Sequence, residues 1–395
     1  MIAYEQACEL VLQHARPVGA RRVPADRSCG MVLAEPVTAR IASPPFDKAA
    51  MDGYAVRRAD VAELPAELEV VGEVYAGQFP DFEVGGGQAA VITTGAPVPP
   101  GADMVVMVEH TEEVAGDRVR VEQLSGDNVC LAGEDVAAGE TVLNPGAVMT
   151  PLRIGVAGAA GRQELSVHRR PTGALLCTGS EVVEPGERPG RGQIFNANGP
   201  MLRSLMRPRC GGFSYLGIAG DERESLESSV REGLRAEVLV ISGGVSMGEY
   251  DLVPPTLECC GVERVFHKVA VKPGKPTYFG CADGTLVFGM PGNPQSCFVI
   301  FNLLVAPALA AMAGHAELPP RLETGRMGEG FENKPERMNV KPCSIERGPD
   351  GPLLRRQPYH GSADIVGPAR ADGYFIVPRG TEYVEEGREL EFFTI

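Results

Sequence analysis

Glu237-Val238-Leu239-Val240-Ile241-Ser242-Gly243-Gly244-Val245-Ser246 is the stretch on which the fold turns. An unbroken apolar run of strand length is a strand buried on both faces. A glycine pair follows it at once. Asp251 then stands before a helical run at 254–260 whose prolines fall in the first turn, where helices tolerate them. A strand, a glycine turn and a helix start form the unit of an open α/β sheet, whose ligands gather at the carboxyl ends of the strands.

The alternation continues outward. Residues 172–177 read as an apolar strand, 200–206 as a helix, 213–219 as a strand and 222–234 as a polar-faced helix. Strands are predicted at 265–271 and 285–288, and a long helix from Pro294. This order predicts a doubly wound, mostly parallel sheet. Upstream, 3–15 has helical spacing, and 31–42 and 142–149 look extended. From Phe46 to Val136, short strands at 68–71, 89–92, 104–108 and 118–121 are parted by turns such as Pro97 to Gly101, which predicts a β-rich unit. After Pro319 the helical signal vanishes, and 338–340 and 373–377 predict a small terminal β unit.

A chain of 395 residues exceeds one ordinary core, and 44% hydrophobic with 23% charged residues is the composition of a soluble globular protein. The absence of Trp and only 6% aromatics argue against a carbohydrate cleft or a base-stacking platform. A net charge of −15 disfavours a nucleic-acid backbone as partner, so any anionic ligand must meet local positive charge. Ten cysteines without a C-x-x-C pair, two of them adjacent at Cys259 and Cys260, read as reduced thiols of a cytoplasmic protein. No basic region followed by an apolar run opens the chain, and no membrane span is expected. The longest apolar segment, 297–313, contains Asn302 and Pro307 and reads as a core helix.

Candidate chemistry collects just after predicted strands. In Met290-Pro291-Gly292-Asn293-Pro294-Gln295-Ser296, Asn293 suits an N-cap and Pro294 the first helical position. Gly292 permits positive φ, and the free amides near Ser296 can hold an oxyanion. Gly243 and Gly244 can turn backbone amides inward as an anion nest. Asp251 can cap the next helix or bind a metal. Glu181, in Thr178-Gly179-Ser180-Glu181, also follows a strand, and two such acids can share Mg²⁺ with ligand phosphates. Lys268, Ala270 and Lys272 would share one face of a strand, with Lys275 close behind; they suit an exposed edge or an oxyanion. His267 reads as structural. No G-x-S-x-G, H-E-x-x-H or P-loop lysine motif is present. The acids in 43–54 and the polar turns at 93–97 and 133–136 have no reading of their own.

Seven blocks in this order resemble the molybdopterin molybdenumtransferase family, MoeA in bacteria and the gephyrin E domain in animals. They are Pro44-Pro45-Phe46-Asp47-Lys48-Ala49-Ala50-Met51-Asp52-Gly53-Tyr54-Ala55, Thr94-Gly95-Ala96-Pro97-Val98-Pro99, Gly133-Glu134-Asp135, Thr178-Gly179-Ser180-Glu181, Ser242-Gly243-Gly244-Val245-Ser246, Val271-Lys272-Pro273-Gly274-Lys275-Pro276 and Met290-Pro291-Gly292-Asn293-Pro294. They span nearly the whole chain.

The resemblance implies multidomain α/β and β architecture. An elongated linker domain would comprise 1–44 with 138–170, an inserted β-rich domain 45–137, a MogA/MoaB-like α/β domain 171–317, and a barrel-like β domain 318–395. It implies Mg²⁺-dependent insertion of molybdate into adenylated molybdopterin with release of AMP, by a homodimer with shared active sites. By motif match, Asp52, Thr94, Asp135, Asp221, Lys268 and Lys272 would be catalytic, with Thr93 an adjacent alternative to Thr94. Lys275, Pro291, Gly292, Pro294, Ser296, Gly243 and Gly244 would bind substrate, and Glu181 and Asp251 would hold Mg²⁺. Asp52 and Asp135, of either subunit, would orient the pterin end or handle protons. The dithiolene sulfurs take the molybdenum, so no protein cysteine is required. The family usually has Asn-Ser where this chain has Lys48-Ala49. Two other readings use the same fold: an adenylyltransferase that makes the adenylated pterin, and a non-enzymatic scaffold.

Overall fold

Alternate residues of the buried strands enter different cores, the period-two signature of a pleated strand. In β1 (Thr172–Thr178) and β3 (Val238–Ser242), Leu175, Val238 and Val240 pack with Phe288, while Ala174, Leu176, Leu239 and Ile241 pack with Val287. The structure is a computed structural model describing residues 1–220, 222–245 and 251–395. It divides into two compact units, Met1–Arg21 with Val167–Ile395, and Arg22–Ser166.

The first unit is built on a sheet that also contains β2 (Gly212–Ala219), β4 (Glu263–His267), β5 (Tyr278–Ala282) and β6 (Thr285–Met290), in the order β2-β1-β3-β6-β5-β4. Strands β2, β1, β3 and β6 run parallel, and β5 is antiparallel to both of its neighbours. All strands but β5 therefore point the same way. Helices α1 (Asn198–Met206) and α4 (Pro294–Met312) cover one face through Leu202, Met206, Val299 and Leu303. Helices α2 (Arg223–Gly233) and α3 (Val253–Cys259) cover the other through Leu226, Val230, Val253 and Leu257. The sheet is doubly wound, and the strand order reverses between β1 and β3, which opens a crevice beyond their carboxyl ends. The N-terminal helix Tyr4–His14 adds Ala7 and Val11 to the first core.

At 19 residues and a mean hydropathy of 1.8, α4 has the length and composition to cross a membrane, but 78% of that stretch is buried in the fold, as a core helix requires. A π turn at Phe301–Val305 interrupts it.

Two strand expectations are corrected. The run 265–271 is not one strand: the chain leaves the sheet after His267, and Lys268 takes a φ of 79°. Val271–Lys272 then pairs in parallel with Met338–Asn339 of the C-terminal sheet. Lys268 and Lys272 therefore do not share a strand face. Strand β5 was not anticipated, although Asp283-Gly284, with φ of 44° and 85°, closes a tight hairpin onto β6. In the stretches expected to be extended, Val37–Thr38 pairs with Thr141–Leu143, and Val32 forms an isolated bridge to Val148.

The C-terminal β-sheet closes on itself. Met338–Gly348 pairs with Gly351–Arg356 and Gly373–Val377, and Glu389–Thr394 pairs with Gly373–Val377 and Glu323–Met327. Pairing of Glu323–Met327 with Gly351–Arg356 completes the ring. The second unit holds a six-stranded sheet in the order Met104–Met107, Gly53–Val56, Gln88–Ile92, Ala66–Val74, Arg118–Val121, Thr111–Val114. Its two faces bury Val56, Leu68 and Val119, and Ala55, Val74 and Ile92.

Candidate active site

Strands β1 and β3 end side by side, with Cys177 opposite Ser242. Thr178 Oγ1 donates to Ser242 O at 3.4 Å. The turn that follows requires glycine. Gly243 has φ 99°, and a Cβ there would lie 2.7 Å from Thr178 O; Gly244 has φ 63°, and its Cβ would lie 2.8 Å from Val253. Gly243 N–H donates to Met290 O at 3.0 Å, so of the expected nest the Gly244 N–H is the glycine amide left unpaired among the described residues. Gly292 does not adopt the positive φ expected of it. A Cβ on Gly292 would lie 3.8 Å from Gly243 Cα, an ordinary contact, so crowding does not require glycine there either.

Asn198, at the start of α1, ties these loops together. Its Nδ2 donates to Ser242 Oγ at 2.8 Å and to Gly292 O at 2.6 Å, while its buried Oδ1 has no partner. Asn196 supports it from behind, with Nδ2 donating to Tyr215 Oη at 3.0 Å and Oδ1 accepting from Gly199 N–H at 2.8 Å. Neither residue was among the candidates the sequence offered. Their signal was the Asn196-Ala197-Asn198 run directly before an apolar helix.

A cavity of about 930 Å³ opens among these loops, lined by Thr178, Glu181, Asn198, Gly243, Asp251 and Gly292. That is ample for a nucleotide-sized ligand. Glu181 and Asp251 thus meet in one cavity. The Glu181 carboxylate folds back over Gly179, where a Cβ would lie 2.7 Å from its Oε2, and it forms no ion pair among the described residues. Asp251 precedes Leu252, the N-cap residue of α3. Two carboxylates lining one cavity suit a hard divalent cation that keeps its other positions for waters and phosphate oxygens.

A second, smaller cavity of about 250 Å³ lies on the other side of the Pro291-Gly292-Asn293-Pro294 turn. Lys272, Lys275, Arg337, Ser296 and Ser362 line it, as does Pro291, and no carboxylate among the described residues does. Burial, and then the neighbouring charges of Lys334 and Arg337, hold the Lys272 ammonium below the usual lysine range. Lys341 is lowered likewise by burial and by Lys272 and Arg356. In a chain of net charge −15 this is a concentrated positive patch. Asn293 occupies the N-cap position, but its Nδ2 donates to Ser362 Oγ at 2.8 Å and its side chain makes no cap bond. Lys268 lines neither cavity. Pro294 borders the large one. His267 is structural, its Nε2 2.8 Å from Val245 O. Cys297 is fully buried, its thiol pushed up to about 12 by burial, with Sγ donating to Pro291 O at 2.8 Å; it stays protonated.

Of the remaining acids, Asp52 and Asp135 lie in the second unit. Asp52 Oδ1 accepts from the Thr94 N–H at 2.6 Å and from Thr94 Oγ1 at 2.8 Å, and these bonds, the backbone one first, hold its carboxyl below the usual carboxylate range. Asp135 accepts from Ser43 Oγ at 3.5 Å. Lys48 and Ala49, where the family pattern departs, pair with Cys130 and Val129 at the edge of this loop. Asp221 lies outside the described residues.

An open α/β sheet with glycine loops and two acids at its switch point, together with a closed β sheet and a separate β-rich unit, defines a multidomain α/β and β protein with a ligand cavity at the strand ends. Residues 174–311 match the family described as probable molybdopterin binding domain, 2–161 the MoeA N-terminal region (domain I and II), and 324–395 the MoeA C-terminal region (domain IV). The chain is 31% identical to the molybdopterin molybdenumtransferase of Staphylococcus aureus (strain N315) over 99% of its own length and 94% of the relative's. The Staphylococcus epidermidis enzyme of the same name is 30% identical over the same shares. The crystal structure of a molybdopterin biosynthesis MoeA protein from Pyrococcus horikoshii superposes with a TM-score of 0.85 at 32% identity, covering 100% of this chain and 99% of that one. The chain belongs to the MoeA family of molybdopterin molybdenumtransferases, and is a transferase of molybdenum cofactor biosynthesis.

Proposed function

We propose that this protein inserts molybdate into adenylated molybdopterin in a Mg²⁺-dependent reaction that releases AMP. The observation that carries the reading is the pairing of two cavities across one turn. The larger is lined by Glu181 and Asp251, and the smaller by Lys272, Lys275 and Arg337, with Pro291 to Pro294 between them. Both substrates are anions that repel each other: the smaller cavity offers positive side chains to one, and the carboxylates of the larger would offer positive charge to the other through the cation they hold.

Glu181 and Asp251 would hold the Mg²⁺, whose chemistry when bound is to neutralise phosphoanhydride charge. Thr178, Gly243 and Gly244 shape the phosphate end, with the Gly244 N–H free to donate. Lys272 and Lys275 hold the oxyanion beside Ser296. Lys268, away from both cavities, acts only indirectly in this reading. Asp52, kept ionised by Thr94, is a weak base at neutral pH, which favours its accepting hydrogen bonds from the pterin end over moving protons. Asp135 serves the same end, and a homodimer with shared sites would bring both acids to the chemistry. The protein would act in the cytoplasm.

Incubation of the purified protein with adenylated molybdopterin and Mg²⁺ is expected to give AMP only after molybdate is added. Pyrophosphate released from ATP and molybdopterin would replace this reading with an adenylyltransferase. Neither product would leave only a scaffold.

A further inference from the structure

Gln295 is the second residue of α4, and it is 2% exposed. Neither its Nε2 nor its Oε1 has a hydrogen-bond partner. Its backbone alone is engaged, N–H donating to Ser362 O at 3.3 Å. The Tyr374 hydroxyl is its polar neighbour, outside bonding geometry. A buried amide has two donor hydrogens and an acceptor oxygen, and leaving such groups unpaired costs about 1–3 kcal/mol. Buried polar groups are nearly always paired, so an unpaired one on a cavity wall calls for a partner that occupies the cavity.

Gln295 stands between two cavities of opposite character. One is the cationic cavity of Lys272 and Lys275. The other, about 210 Å³, is walled by Met201, Phe298, Ile365 and Ile395. The carboxylate on that apolar side, Asp364, is occupied by the N–H groups of His360, Val366 and Gly367. Apart from the Tyr374 hydroxyl, the apolar side offers the amide no uncommitted polar side chain among the described residues, whereas the lysines of the cationic side suit an anion rich in acceptors.

We infer that Gln295 is an anion-binding residue of the oxyanion cavity, its Nε2 donating to an oxygen of the tetrahedral oxyanion held by Lys272 and Lys275. The inference rests on the oxyanion reading of that cavity. A neutral amide adds a directed donor without more charge, where Lys272 and Lys341 already repel each other.

The test is calorimetric titration of the full chain with sodium molybdate and, separately, with AMP and Mg²⁺. Gln295→Met keeps length and removes both polar atoms. It is expected to weaken molybdate by about tenfold, equivalent to 1.4 kcal/mol, with AMP affinity unchanged and the melting temperature no lower than that of the parent. Gln295→Asn withdraws the amide by one methylene and is expected to lose part of that affinity; it serves if the Met variant does not fold. Molybdate bound as tightly by either folded variant as by the parent overturns the inference. Lys272→Ala separates the two levels: loss there with none in the Gln295 variants sinks this inference alone, whereas a parent that binds no molybdate sinks the cavity reading with it.

Discussion

The Glu181 carboxylate lies over Gly179, its Oε2 2.7 Å from the point a β-carbon would occupy. Gly179 also has a φ of 131°, which an L side chain rarely adopts. Gly179→Ala is therefore expected to do two things. It pushes Glu181 off its position, and it strains the turn by roughly 1–2 kcal/mol. If Glu181 is a Mg²⁺ ligand, the Mg²⁺ concentration for half-maximal AMP release rises by about tenfold or more. Glu181→Gln is expected to show the same Mg²⁺ shift without the fall in melting temperature. An unchanged Mg²⁺ requirement in both variants would remove Glu181 from the metal site.

Thr94 gives Asp52 two hydrogen bonds, one from the backbone and one from the hydroxyl. Thr94→Val removes the second and keeps the first. The Asp52 carboxyl is then expected to titrate at higher pH, moving back towards the ordinary carboxylate range without reaching it. The direction follows because both bonds favour the charged form. Carbonyl-carbon NMR of Asp52 against pH reads it directly. A shift to lower pH, or none, would show that the hydroxyl is not what holds Asp52 ionised.

The α/β sheet was legible because burial on both faces leaves runs such as Val238 to Ile241 with no polar residue to confuse the period. The glycine pair was legible because Gly243 and Gly244 sit where only glycine avoids Thr178 and Val253. Lys268 and Lys272 misled because a strand pattern records alternation but not where a strand changes sheets, and Val271–Lys272 pairs with a segment nearly seventy residues on. Asn198 escaped because its two bonds, to Ser242 and Gly292, join positions far apart in the chain. Strand β5 escaped although Asp283-Gly284 announced a hairpin, because only the run after that turn was read as a strand.

Lys272 predicts two opposite pH trends. Its ammonium is held below the ordinary lysine value of 10.5 by burial and by Lys334 and Arg337. Between its folded value and 10.5, the unfolded chain binds more protons than the folded one, so the stability of the ligand-free protein rises with pH across that window. Oxyanion binding needs the charged form, so molybdate affinity falls across the same window. Calorimetry from neutral pH to 10.5 should show the affinity declining before the ordinary lysine range is reached. Lys272→Arg should hold the affinity to higher pH, since guanidinium stays charged. A parent whose affinity is flat to 10.5 would rule out Lys272 as the anion's partner.

Asn198 is the last test, because it probes geometry without touching charge. Its Nδ2 is shared by Ser242 Oγ and Gly292 O, which keeps the turn after β3 against the turn before α4. Asn198→Ala leaves both acceptors without that donor in a buried setting and is expected to destabilise the fold by about 1–3 kcal/mol. Asn198→Asp removes both donor hydrogens but keeps shape, and it adds a negative charge to the lining of the large cavity, which would repel a bound nucleotide. The Ala variant should therefore lose stability and nucleotide affinity together. The Asp variant should lose nucleotide affinity more than stability, with part of that loss recovered at high salt as screening weakens the repulsion. Denaturant melts and AMP titrations on the same preparations separate the two. Equal AMP affinity in all three proteins would mean that the contact between the two glycine turns holds without Asn198, and that the cavity floor is set by Gly243 and Gly292 alone.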